Sequence, residues 1–99
     1  MRITPLEREI IVREVNKWFG SNSRVVLFGS RTDDMAKGGD IDLFVVPACS
    51  SDLYMKKIYF LVSLKSKIGE QKIDVVIQAD EEDDRLIIET AQKEGILLT

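Results

Sequence analysis

The stretch Gly39-Asp40-Ile41-Asp42-Leu43-Phe44-Val45-Val46, closed by Pro47, holds the key to the fold. Its β-branched and aromatic residues read as a strand over Ile41 to Val46, and Pro47 stops it. Side chains alternate along a strand, so Ile41, Leu43 and Val45 share one face while Asp40 and Asp42 share the other. Lys72 to Ile77 repeats the pattern, with Ile73, Val75 and Ile77 opposite Asp74. Between the two strands, Asp52 is placed to cap a helix running to about Lys67, with Tyr54, Ile58, Leu61, Val62 and Ile68 expected to face inward and Gly69 to end it. A helix joining two strands implies a right-handed crossover and parallel pairing. Because the carboxylates lie near the beginnings of their strands, parallel pairing brings Asp40, Asp42 and Asp74 to one end of the sheet.

Upstream, Thr4-Pro5-Leu6-Glu7 combines an N-cap, proline at the first helical position and glutamate three residues after the cap. Leu6, Ile10, Ile11, Val15, Trp18 and Phe19 follow at helical spacing, predicting a helix from about 5 to 19 with Gly20 at its end and Trp18 in the core. Arg24 to Phe28 is a compact strand that runs into Gly29-Ser30. That pair reaches the carboxylate end only if the first strand is antiparallel to the second, which the nine-residue connection Arg31 to Gly39 permits. Gly38-Gly39 reads as a turn. After the third strand, Asp80, Glu81, Glu82, Asp83 and Asp84 suit the start of a last helix with Leu86, Ile87 and Ala91 in its buried stripe. Gly95 breaks it before an apolar tail, Ile96-Leu97-Leu98.

Three close carboxylates repel one another, and partial burial adds a desolvation cost of roughly several kcal/mol. Divalent cations explain the cluster more simply than three basic partners would. Mg²⁺ takes oxygen ligands in an octahedral shell and usually shares that shell with substrate phosphates. In a two-metal arrangement Asp40 and Asp42 would hold the ions, with Asp42 able to bridge them. Asp74 would hold the catalytic ion and orient or deprotonate an acceptor hydroxyl. Gly29 lets backbone approach a nucleotide, Ser30 can donate to a phosphate oxygen, and Arg31 can pair with a phosphate. The combination reads as a metal-dependent nucleotidyl-transfer site. No G-x-x-x-x-G-K-[ST] run is present, and Phe44 and Val45 stand where an EF-hand loop would need an oxygen ligand and glycine.

Composition narrows the field. The 99 residues suit one domain, 1–99, and the net charge of −3 gives no reason to expect a nucleic-acid partner. Lys56, Lys57, Lys65, Lys67 and Lys72 read as a solvated face. No apolar run is long enough to cross a bilayer and no signal-peptide pattern opens the chain, so the expected location is cytoplasmic. Cys49 is the single cysteine, consistent with a reducing compartment, and it reads as incidental. There is no histidine, which excludes His-based triads and His-ligated zinc and leaves carboxylate chemistry.

Leu27-Phe28-Gly29-Ser30-Arg31, Gly39-Asp40-Ile41-Asp42-Leu43 and Ile73-Asp74-Val75, with the ending Lys93-Glu94-Gly95-Ile96-Leu97, resemble the DNA polymerase β-like nucleotidyltransferase superfamily. The chain looks most like its small prokaryotic members, the minimal nucleotidyltransferases (MNT), over nearly its whole length. The resemblance implies an α+β fold in which a small mixed β-sheet of the palm type packs with helices. It also implies Mg²⁺ and a nucleoside triphosphate donor, ATP. Many such proteins are encoded beside a helical HEPN protein and act with it as a toxin–antitoxin pair, some transferring AMP to a tyrosine of the toxin. All three acidic positions are filled here.

The leading expectation is therefore an active enzyme that adenylylates a hydroxyl on a HEPN-like partner. The alternatives are a non-catalytic antitoxin acting by occlusion and a transferase for a small-molecule hydroxyl. The sequence carries no further helical domain to shape an acceptor pocket, so the acceptor is expected to come from a partner or another copy. The Ile96-Leu97-Leu98 tail and the broad apolar stripe of the first helix admit two accounts: a tail folded on the sheet edge with the stripe in the core, or a partner-binding surface.

Overall fold

A computed structural model describes residues 3–28, 41–49, 51–69, 72–78 and 95–99. Two helices and four strands follow in the order α1 (Pro5–Phe19), β1 (Arg24–Phe28), β2 (Ile41–Val46), α2 (Leu53–Ile68), β3 (Ile73–Ile77) and β4 (Ile96–Leu97). The sheet order is β3-β2-β1-β4. β2 and β3 are parallel, and β1 is antiparallel to both β2 and β4. This is the mixed α+β sheet the pattern called for, with β1 reversed as the position of Gly29-Ser30 required. The expected last helix, with Asp80 to Asp84 at its start and Leu86, Ile87 and Ala91 in its stripe, lies outside the described residues. No helix among the described residues is long and apolar enough to cross a membrane.

α1 starts at a capping box. Thr4 Oγ1 accepts from the Glu7 amide at 3.0 Å, and Glu7 Oε1 accepts from the Thr4 amide at 2.9 Å. It ends at Gly20, whose φ of +105° suits glycine and whose amide donates to the Asn16 carbonyl at 3.1 Å. A methyl group at Gly20 would lie 3.0 Å from the Ala48 side chain, so glycine also allows the helix end to approach the exit of β2. Ser23 ties these segments together. Its buried hydroxyl donates to the Phe19 carbonyl at 2.8 Å and accepts from the Ala48 amide at 2.9 Å.

Both helices cover one face of the sheet. Ile11, Val15 and Phe19 of α1 and Phe60 and Leu64 of α2 pack on Val25, Leu27, Ile41, Leu43, Val45, Ile73 and Val75. Phe19 meets Phe60 edge-on, with ring centroids 5.5 Å apart. On α1 the buried apolar positions fall at i, i+4 and i+8, leaving Ile10, Val12 and Trp18 half-buried and Leu6 exposed. Trp18 therefore borders the core and stacks on Tyr59. Phe28 and Phe44 are buried on the opposite face of the sheet, beside Val26, Val46 and Val76.

α2 corrects two expectations. Its inward residues are Phe60 and Leu64, supported by Leu53, Leu61 and Ile68, whereas Tyr54, Ile58 and Val62 are exposed. Apolar residues occupy both sides of this helix, so helical spacing alone fits either stripe. The Phe60–Phe19 contact marks the stripe the core selects. Asp52 precedes α2 but makes no side-chain cap bond. Its backbone is left-handed (φ 54°, ψ 38°), whereas an N-cap needs an extended residue to bring its carboxylate over the first free amides.

The apolar tail folds onto the sheet edge. Leu97 pairs with Val26 and Ile96 with Leu27, while Leu98 is buried and its amide donates to the Val25 carbonyl at 2.9 Å. Arg8 Nε and Nη2 donate to the Leu98 carbonyl at 3.2 and 3.1 Å, attaching the tail to α1.

The buried Glu14 joins the two helices. Its carboxylate accepts from Lys67 Nζ at 2.7 Å, from the Ser63 hydroxyl, and from Trp18 Nε1 at 3.3 Å. Burial pushes the carboxyl pKa up, but the three donors and the Lys67 charge outweigh it and hold the group below its ordinary value. A depressed carboxyl stabilises the fold above the ordinary pKa of 4.5, and that contribution is lost as pH falls through the lowered folded-state value. Glu14→Gln should cost ~1–3 kcal/mol in denaturant titrations at pH 7, moderated because Lys67 is partly exposed. The gap between wild type and variant should narrow in acid. An unchanged gap at pH 3 would show that the charge contributes nothing.

Candidate active site

The ladder between β2 and β3 sets Asp42 directly across from Asp74. In-register neighbours on parallel strands lie roughly 4.8 Å apart and point to the same side. That side is opposite the helices, because Ile41, Leu43, Ile73 and Val75, which flank the two aspartates in sequence, are buried in the helix-covered core. Asp42 is half-buried and Asp74 exposed. Backbone bonds hold the register at both ends: the Ile41 amide donates to the Lys72 carbonyl at 3.0 Å and the Gln78 amide to the Val45 carbonyl at 3.0 Å.

β1 delivers the next part of the chain to the same end. Phe28, its last residue, is the cross-strand partner of Asp42, and Gly29-Ser30 follow it in sequence. The structure thus brings together Asp42, Asp74 and the end of β1. Asp40, Gly29, Ser30 and Arg31 lie outside the described residues, as does the turn expected at Gly38-Gly39. Among the described residues no group of three or more carboxylate, histidine or cysteine side chains gathers into a metal site. Two carboxylates in register, with Asp40 one residue before β2, suit a hard divalent cation that takes oxygen ligands.

The same face of the sheet carries a cleft of ≈ 320 Å³ lined by Arg24, Val26, Phe44, Val46, Gly95 and Leu97. It lies toward the far end of β1 and β2 from Asp42, since Arg24 pairs with Val46 while Phe28 pairs with Asp42.

A second reactive group, read from sequence as incidental, sits beyond the Val46 end of β2. Cys49 is exposed, its Sγ lies 3.2 Å from Ser51 Oγ, and Lys56 Nζ donates to it at 3.6 Å and to Ser51 Oγ at 3.3 Å. Hydrogen bonds from Ser51 and the charge of Lys56 lower the thiol pKa from 9.0 to about 7. The signal in the sequence was Lys56 in the first turn of the helix that follows Cys49.

A family model for the nucleotidyltransferase domain matches residues 9–98. The chain belongs to this nucleotidyltransferase family. A search of curated proteins finds no match.

Two outcomes follow from this geometry. Like charges facing each other across a ladder are destabilising, so Asp74→Asn should raise stability by about 0.2–1 kcal/mol in metal-free buffer. A thermal melt with chelator checks this, and a lowered midpoint would mean that Asp74 makes a net favourable interaction. For Cys49, alkylation by iodoacetamide should follow a titration centred near pH 7. Ser51→Ala should move that midpoint upward, and Lys56→Ala should do so by less.

Proposed function

We propose that the chain is a Mg²⁺-dependent nucleotidyltransferase that moves AMP from ATP to a hydroxyl group of a partner protein, as the antitoxin of a HEPN/MNT-type pair in the cytoplasm. Membership of the nucleotidyltransferase family supports nucleotide transfer in general. The observation that carries the site is the pairing of Asp42 with Asp74 beside the end of β1.

In this reading Asp40, Asp42 and Asp74 hold the divalent ions, and Gly29, Ser30 and Arg31 receive the triphosphate. Bound Mg²⁺ would supply Lewis-acid stabilisation of the phosphate charge. Asp74, on the exposed edge of the pair, orients the acceptor hydroxyl and takes up its proton. The acceptor oxygen bonds to the α-phosphorus, the bond from that phosphorus to the bridging oxygen of the β-phosphate breaks, and pyrophosphate leaves. Gly29 keeps the nucleotide path free of a side chain, and Ser30 donates to a phosphate oxygen.

Incubation with ATP labelled at the α-phosphate and the protein encoded by the adjacent gene should leave label on that protein and release pyrophosphate. Asp42→Asn should fold normally yet lose at least about a hundredfold in labelling, the scale expected when a group that stabilises transferring charge is removed. Mg-ATP should raise the melting temperature of wild type and not of this variant. Label recovered only as free AMP or ADP would refute transfer to the protein. Equal neutralisation of the partner by wild type and Asp42→Asn would transfer the role to occlusion.

A further inference from the structure

One face of α2 enters the core through Phe60 and Leu64. The other presents Tyr54, Met55, Ile58, Tyr59 and Val62, which are 39 to 77% exposed. A solvent-facing helix surface normally carries charge, so a continuous apolar stripe of this kind marks a contact surface. Cations border it on both sides. At 3.6 residues per turn, Lys57 and Lys65 fall along the border beside Tyr54 and Ile58. On the other border Tyr59 stacks on Trp18, with ring centroids 5.6 Å apart, and Lys17 Nζ lies 5.0 Å from the Trp18 ring centroid. Lys56 and Lys67 are engaged within the chain, the first by Cys49 and Ser51 and the second by Glu14. Lys17, Lys57 and Lys65 form no ion pair among the described residues. Leu53–Ile68 contains no Asp or Glu.

We propose that this stripe docks an acidic amphipathic helix of a different protein, one whose apolar row is flanked by Glu or Asp on both sides. Charge complementarity selects that occupant. Lysines on both borders meet carboxylates on both flanks of the incoming helix, as charges bordering an apolar helix seam do. A second copy offering the same stripe would set lysine against lysine with no acid between them. An anionic bilayer would gain three free lysines and be repelled by the rest of the chain, which is more acidic than the overall net charge of −3. Tyrosine and methionine are also residue types enriched at protein interfaces. The Trp18–Tyr59 stack fixes one border of the stripe before a partner arrives, which lowers the ordering cost of binding. The stripe lies on the helix side of the molecule and Asp42 and Asp74 on the opposite face of the sheet, so this surface stands independently of the nucleotidyl-transfer reading.

Two synthetic amphipathic helices test the proposal, both with the same leucine row and no tryptophan, one flanked by glutamates and the other by lysines. Trp18 is the single tryptophan of the chain, so its fluorescence reports binding beside Tyr59. The glutamate peptide should bind the full chain with a micromolar Kd, at least about tenfold tighter than the lysine peptide at low salt. Val62→Glu should weaken that binding at least about tenfold, with circular dichroism confirming that each variant folds. Lys57→Glu combined with Lys65→Glu should reverse the preference between the peptides, which a purely apolar surface would not do. No binding of the glutamate peptide at about 100 μM overturns the proposal. Equal affinities for the two peptides, or a preference that survives the double exchange, overturn it too. Sedimentation of the chain alone and with phosphatidylserine vesicles covers the other occupants. Self-association or vesicle binding that Val62→Glu abolishes would give the stripe to a second copy or to a membrane, and refute an acidic protein helix as its occupant.

Discussion

The register of β2 against its two neighbours is the constraint on which the rest of the structure depends. β2 pairs on one side with parallel β3 and on the other with antiparallel β1, and it is buried on both faces. A slip of one residue would turn Ile41, Leu43 and Val45 away from the helices and drive Asp42 into the core. The desolvation cost of a buried carboxylate makes that arrangement untenable. Packing beneath the helices and placement of Asp42 beside Asp74 and Phe28 are thus two results of one choice of register. The backbone bonds from Ile41 to Lys72 and from Gln78 to Val45 close that choice at both ends.

Much of this was legible in the residues. Period-two alternation marks β2 and β3, the Thr4–Glu7 capping box marks α1, and the helix between β2 and β3 implies their parallel pairing. Requiring Gly29-Ser30 at the carboxylate end was enough to orient β1. The geometry of Asp42 and Asp74 was readable for the same reason: alternation and strand direction together place a side chain at one end and on one face. Which stripe of α2 turns inward was not readable, because Tyr54, Ile58 and Val62 satisfy helical spacing as well as Phe60 and Leu64 do. Only the three-dimensional fit of Phe60 to Phe19 separates them. Asp52 has the right residue type for a cap and the wrong backbone conformation, which a one-letter pattern does not encode.

Glu14 shows a subtler gap. It falls between Ile11 and Val15 on the buried face of α1, where a carboxylate needs partners. Its main partners, Ser63 and Lys67, lie 49 and 53 residues away on α2, so local sequence gives no hint of them. Cys49 differs in that both of its partners are near in sequence. Its activation depends on the turn before α2 folding Ser51 and Lys56 back toward the thiol.

Among the described strands β3 is an outer one, while β4 covers the corresponding edge of β1. Ile73-Asp74-Val75-Val76-Ile77 is the kind of sequence that recruits further strands when its backbone is open, and natural sheets discourage this with a charge on the edge. Asp74 supplies that charge. Under the proposed function the same residue takes the acceptor side of the site, so solubility and catalysis would then constrain one position. A substitution that relieves the carboxylate pair would leave a more stable fold with a more adhesive border.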